Sequence, residues 1–175
     1  LAEYEKLQKD KKSSTDKKLN DQIDLIKHEL KNINIKPNYN TDLDLTENLK
    51  NLNKQFDKIK IKNIINDKNK NIIKDKKIGS FQLRYQVITD LPSKELRNIV
   101  DNGKKEIKEG ILIVFSTFEN KVGVSVGVTQ KLIDKYDAVQ LVKEAAEILG
   151  GKGGGGRKDF AQAGGVNKDK IEEAF

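Results

Sequence analysis

The residues best placed to meet a charged ligand lie in one stretch, Gly150-Gly151-Lys152-Gly153-Gly154-Gly155-Gly156-Arg157-Lys158-Asp159-Phe160-Ala161-Gln162-Ala163-Gly164-Gly165. Backbone N–H groups unshielded by a β-carbon can approach a phosphate closely, Arg157 can add a bidentate contact, and Lys152 and Lys158 supply point charges. Two phosphate-binding motifs come near in letters and fail in context. Gly151-x-Gly153-x-x-Gly156 has dinucleotide spacing, but it follows a predicted helix where that motif follows a strand. Gly156 is followed by Arg157, Lys158 and Asp159, with no hydroxyl residue in place, so ATP hydrolysis is not indicated. A flexible glycine linker would not resume with Asp-Phe-Ala-Gln-Ala-Gly-Gly, so the stretch reads as a built loop.

Other chemistries are thinly supplied. There is no cysteine and His28 is the only histidine, which excludes disulfides and removes the usual soft ligands of a zinc site; no metal or cofactor is expected. His28 sits between Lys27 and Glu29, as on the surface of an amphipathic helix. The net charge of +7 invites a nucleic-acid partner, but nearly all of it is lysine among asparagine and isoleucine, as an AT-rich genome writes. The chain has no methionine and starts inside a charged segment at Leu1, which suggests a piece of a longer chain. It shows no signal-peptide core and no apolar run near the roughly 18 residues that span a membrane, so a soluble, cytoplasmic protein is expected.

Two regions must position the glycine stretch. All thirteen glycines lie from Gly79 onward, which marks a boundary near residues 76–80. Before it, Leu19, Ile23, Ile26, Leu30 and Ile33 form one apolar seam at helical spacing, and Leu45, Leu49, Leu52, Phe56 and Ile59 form another. Pro37 and its asparagine neighbours break the helix between them, which predicts an antiparallel hairpin. Ahead of Leu19 only Leu1, Tyr4 and Leu7 are apolar, as if that stretch packs on a partner. Two helices alone make a poor fold, so self-association is expected. Leu19, Ile23, Ile26, Leu30, Leu45, Leu49, Leu52 and Phe56 are the candidate oligomerisation residues.

After the boundary, Phe81, Leu83, Tyr85 and Val87 alternate with polar residues as a half-buried strand. Ser93 is a plausible N-cap for a helix running to about Gly110, with Leu96, Ile99, Val100 and Ile107 in the core. Ile111–Phe115 reads as a central strand covered on both faces, followed by a hairpin turn over residues 118–122. In the next strand Val122, Val124, Val126 and Val128 alternate with Gly123, Ser125 and Gly127, a bare face that marks packing beneath a helix or close approach of a ligand. A helix from Tyr136 to Leu149 should end at Gly150. The expected architecture is α+β: an N-terminal antiparallel helical hairpin of coiled-coil type over 1–76, then a small β-α-β-β-α domain with a mixed sheet over 77–175.

Residues 153–165, Gly-Gly-Gly-Gly-Arg-Lys-Asp-Phe-Ala-Gln-Ala-Gly-Gly, resemble the signature of the DHH-associated domain in the form found at the C-terminus of bacterial-type alanyl-tRNA synthetases. The terminal glycine pairs, Arg157, Asp159, Ala161, Gln162 and Ala163 match that pattern. Lys152 stands where glycine is common and Lys158 where proline is common, and both departures add charge. The resemblance covers about residues 79–175, and the family places a helical hairpin ahead of it. It implies a non-catalytic module that holds tRNA at the elbow and supports dimerisation, with the catalytic and editing domains of an alanine–tRNA ligase elsewhere. The RNA-facing set it suggests is Lys152, Gly153, Gly154, Gly155, Gly156, Arg157, Lys158 and Gln162, with Phe160 either stacking on a base or buried in the core. The rival readings are the oligonucleotide-holding domain of a DHH-type phosphoesterase and a purely structural oligomerisation module. A phosphoesterase should carry aspartate and histidine metal ligands upstream, where this chain has a lysine-rich hairpin.

Overall fold

The computed structural model describes the backbone of residues 2–175 and the side chains of residues 7–175, so Leu1 and the side chain of Tyr4 lie outside the described residues. The chain divides into two compact units, Leu1–Lys62 and Asn63–Phe175. None of the described helices is long and apolar enough to cross a membrane.

The first unit is built on α1 (Ala2–Asn32) and α2 (Leu45–Asn66). Ile23, Ile26 and Leu30 of the first seam meet Leu52 of the second in a shared core, flanked by the half-buried Leu45, Leu49, Phe56 and Ile59. The connection is clasped by side chains that the seams do not include. Fully buried Asn48 accepts from the Asn40 amide at 2.8 Å and donates to the carbonyls of Asn40, Leu43 and Asp44. Gln55 accepts from the Asn38 amide and donates to the Lys36 carbonyl, so backbone groups beside Pro37 that no helix can satisfy find partners. The seam residues therefore hold the hairpin's own helices together, with Leu19 half-buried one turn earlier; the exposed apolar side chains of α1 and its end are Leu7, Leu25 and Ile33.

The second unit is a six-stranded mixed sheet in the order β1-β2-β3-β4-β6-β5, comprising β1 (Asn71–Ile78), β2 (Phe81–Thr89), β3 (Gly110–Phe118), β4 (Lys121–Val128), β5 (Gly154–Arg157) and β6 (Phe160–Gly165). Helices α3 (Leu96–Ile107) and α4 (Ala138–Ile148) complete it. Only β2 and β3 pair in parallel, joined by the crossover through α3. The alternating valines of β4 pack with Phe115, with Ala138, Val142 and Ala146 of α4, and with Leu149 at its C-terminal cap. The opposite face lies under α3: a β-carbon on Gly127 would run into Val100, and one on Gly123 would meet the Ser93 and Ser116 hydroxyls. Helix packing thus explains the bare face of that strand.

Several expectations change. The second helix ends at Asn66, and strand β1 spans Asn71–Ile78, so residues 71–76, expected to close the hairpin, belong to the sheet. The β-α-β-β-α order gains β1 at one end of the sheet and β6 and β5 at the other, so the glycine stretch is a β-hairpin rather than a loop. Ser93 opens a short 3-10 turn, Ser93–Glu95, and makes no capping hydrogen bond. Helix α4 starts after Tyr136, with Asp137 as the cap that accepts from the Val139 amide at 2.8 Å. Its end is as expected: Gly150, at φ 73°, and Gly151 donate to the carbonyls of Glu147 and Ala146, the paired bonds of a Schellman motif.

Candidate nucleic-acid interface

The glycine stretch can form a strand because β5 is held from both sides. It pairs antiparallel with β6, Gly154 opposite Ala163 and Gly156 opposite Ala161, and a β-carbon on Gly154 would meet Ala163 of β6 at 2.7 Å and Val142 of α4 at 3.0 Å. The turn at Lys158 and Asp159 is pinned at every carbonyl. Lys158 accepts from the Ala138 amide at the start of α4, and Asp159 accepts from the Val128 amide, both at 3.0 Å. Lys104 of α3 reaches the Asp159 carbonyl at 3.3 Å and its carboxylate at 3.4 Å.

This anchoring fixes where the cations stand. Arg157 is largely exposed and gives only Nε to Asp159, at 3.2 Å, so among the described residues its two terminal nitrogens are free to make a bidentate contact. Burial pushes the Asp159 carboxyl up, but the charge and hydrogen bond of Lys104, with Arg157 beside it, outweigh that and hold it below the usual carboxylate range. One carboxylate therefore serves two cations, and the tip stays net positive. Lys158 is exposed and makes no ion pair among the described residues.

The predicted RNA-facing set does not come together as one cradle. Lys152 precedes β5 and Lys158 follows it, so they stand at opposite ends of the strand, about 20 Å apart at the rise of extended chain. Gln162 is half-buried and donates Nε2 to the Ser93 carbonyl at 3.0 Å, bracing the start of the turn into α3. Phe160 is buried, and the Arg97 guanidinium lies over its ring at 5.0 Å, which makes it a core residue with a cation stacked on it.

Arg97 and Lys104 are the members that sequence reasoning missed. They sit seven residues apart on α3, with Asp101 between them bridging to Arg97 at 3.7 Å, and the signal was that helical spacing together with Lys108 at the next turn. Gly155 is also informative. A β-carbon there would meet nothing within 4 Å and its backbone is not left-handed, so the fold itself does not require glycine at this position.

The DHHA1 domain model matches residues 81–175. The alanine–tRNA ligase of Hyphomonas neptunium is 45% identical over 98 residues, which is 56% of this chain and 11% of that protein. The alanine–tRNA ligase of Bradyrhizobium diazoefficiens is 44% identical over 101 residues, 57% of this chain and again 11% of the relative. The chain thus corresponds to a small part of the curated relatives it matches. Among solved structures, the C-Ala domain from Aquifex aeolicus alanyl-tRNA synthetase superposes with a TM-score of 0.54 at 36% identity, over 58% of this chain and 90% of that one. The sheet order, the pinned glycine hairpin and these matches agree: the chain belongs to the DHHA1 domain family, in the form that makes up the C-terminal region of alanyl-tRNA synthetases.

Proposed function

We propose that this chain is a non-catalytic module that holds tRNA, as the C-terminal part of an alanine–tRNA ligase. The observation that carries the reading is the tip of the β5–β6 hairpin, where a rigidly held Arg157 presents a free guanidinium edge beside the bare backbone of Gly155. Arg97 and Lys158 widen the cationic surface, and Lys104 spends its charge on the anchor. Such a surface meets phosphate and sugar, so it positions an RNA without reading its sequence. The elbow of tRNA, a shape common to all tRNAs, is the part such a contact suits; discrimination among tRNAs then lies outside this module.

Two measurements test this. Affinity for tRNA should fall steeply with salt, because each neutralised phosphate contributes a slope of about −0.7 to −0.9 in log affinity against log salt. Arg157→Ala should weaken binding by about 1 to 3 kcal/mol, roughly 5- to 150-fold, as loss of a charge-assisted contact does. Salt-independent affinity that Arg157→Ala leaves unchanged would reduce the module to a structural role.

The hairpin unit self-associates through the apolar residues its own core leaves over, Leu7, Leu25 and Ile33 on α1 and its end. Sedimentation across a range of concentrations should show a dimer that Leu25→Asp weakens at least tenfold; a monomer at every concentration would remove dimerisation from the reading.

A further inference from the structure

We propose that the module has a second foothold for the RNA backbone, a groove at the opposite edge of the same end of the sheet; the proposal rests on the tRNA reading above. The pairing register brings the end of β1, the starts of β2 and β3, the end of β4, the start of β6 and the end of β5 to one end of the sheet. Arg157 and Lys158 occupy its β5 corner. At the β1 corner a groove of about 410 Å³ opens between the β1–β2 turn and the C-terminus of α3, with Lys76, Lys77 and Lys108 on its walls and Ser80 at its rim.

Charge accounting gives the groove its sign. Its two carboxylates are already committed: Asp75 takes a two-pronged contact from Arg84, at 2.8 and 2.9 Å, and Glu109 takes Lys131 at 3.1 Å. Arg84 also reaches Glu106 on α3, so one guanidinium serves both carboxylates and a single negative charge is left behind the groove. The three lysines on its walls are exposed and have no carboxylate partner among the described residues. The C-terminus of α3 adds about half an elementary negative charge, and together with the one left at Asp75 and Glu106 it still falls short of the three positive ones.

Lys108 adds an independent sign. It follows α3 at φ 58° and ψ −53°, a conformation in which side chains are disfavoured and glycine is at ease. A lysine in this position makes no internal ion pair that would explain it, whereas an anion in the groove would. The two corners are five strand spacings apart, about 24 Å, so one free phosphate or mononucleotide cannot bridge them. An extended polyanion can, and the RNA backbone is the one the hairpin tip already implies.

The test compares tRNA binding, by fluorescence anisotropy over a salt series, for the whole chain and three charge variants. The first is Lys76→Gln, Lys77→Gln, Lys108→Gln; the second is Arg157→Ala; the third is a charge-matched control, Lys121→Gln, Lys143→Gln, Lys168→Gln. The groove variant should bind at least tenfold more weakly at low salt, with a slope shallower by about one to two units. The control should stay within threefold. Lys108→Gly should raise the melting temperature while weakening tRNA binding, which separates a stability effect from a lost contact. If the groove variant binds like the unaltered chain while Arg157→Ala weakens, the groove is refuted and the tRNA reading survives. Equal weakening by the control also refutes the groove, and a chain that binds no tRNA refutes both.

Discussion

Leu52→Ala is expected to unfold the helical hairpin while leaving the sheet unit folded, seen as loss of a large part of the 222 nm circular dichroism with an unchanged melting transition for the rest. Four side chains carry the hairpin's buried core, Ile23, Ile26, Leu30 and Leu52, and only Leu52 comes from α2. Truncating a fully buried leucine costs about 2 to 5 kcal/mol. A folded unit of this length has a net stability of about 3 to 9 kcal/mol in total. The substitution therefore removes a large fraction of what holds α2 to α1, and an isolated helix of α2's length is marginal in water. Contacts within Asn63–Phe175 do not depend on Leu52, so the second transition should stay where it was. A single transition that shifts as a whole would show that the two units unfold together.

The same hairpin shows what sequence alone can and cannot give. Its seams are legible because an apolar residue at every third or fourth position has one economical use, facing another such stripe. Asn48 is not legible, since on spacing it looks like one more polar spacer between Leu45, Leu49 and Leu52. Only the closed connection reveals that its amide satisfies four backbone groups. Strand β3 is legible as an unbroken apolar run, whereas β1 is not. Asn-Ile-Ile-Lys-Asp-Lys-Lys-Ile has the composition of the helices before it, and as an edge strand nearly all exposed it has no burial pattern to enforce alternation. Lysine on such an edge also discourages further strand pairing.

The glycine stretch was legible as a signature and not as a strand, because glycine has poor strand propensity and the forces that make it one come from α4 and β6. That context also separates glycines that look equivalent. Gly156 lies at φ 155°, and a β-carbon there would sit 2.5 Å from the Ala161 Cα and closer still to the Phe160 carbonyl oxygen, backbone atoms that cannot move without breaking the β5–β6 ladder. Gly156→Ala should therefore destabilise the sheet unit by about 2 to 5 kcal/mol, through overpacking added to backbone strain. The melting temperature should fall by roughly 10 °C or more. Gly155→Ala meets open space at an ordinary φ, so it should keep or raise stability, by about 0.5 kcal/mol, because alanine narrows the unfolded ensemble. If RNA backbone comes down on this strand beside Arg157, that added methyl holds it off, and tRNA affinity should drop severalfold while the melting temperature does not. A Gly155→Ala chain that binds tRNA as before would mean that the phosphate meets the Arg157 side chain alone. One that loses stability would mean that the glycine serves the fold, and the bare edge would no longer speak for a ligand.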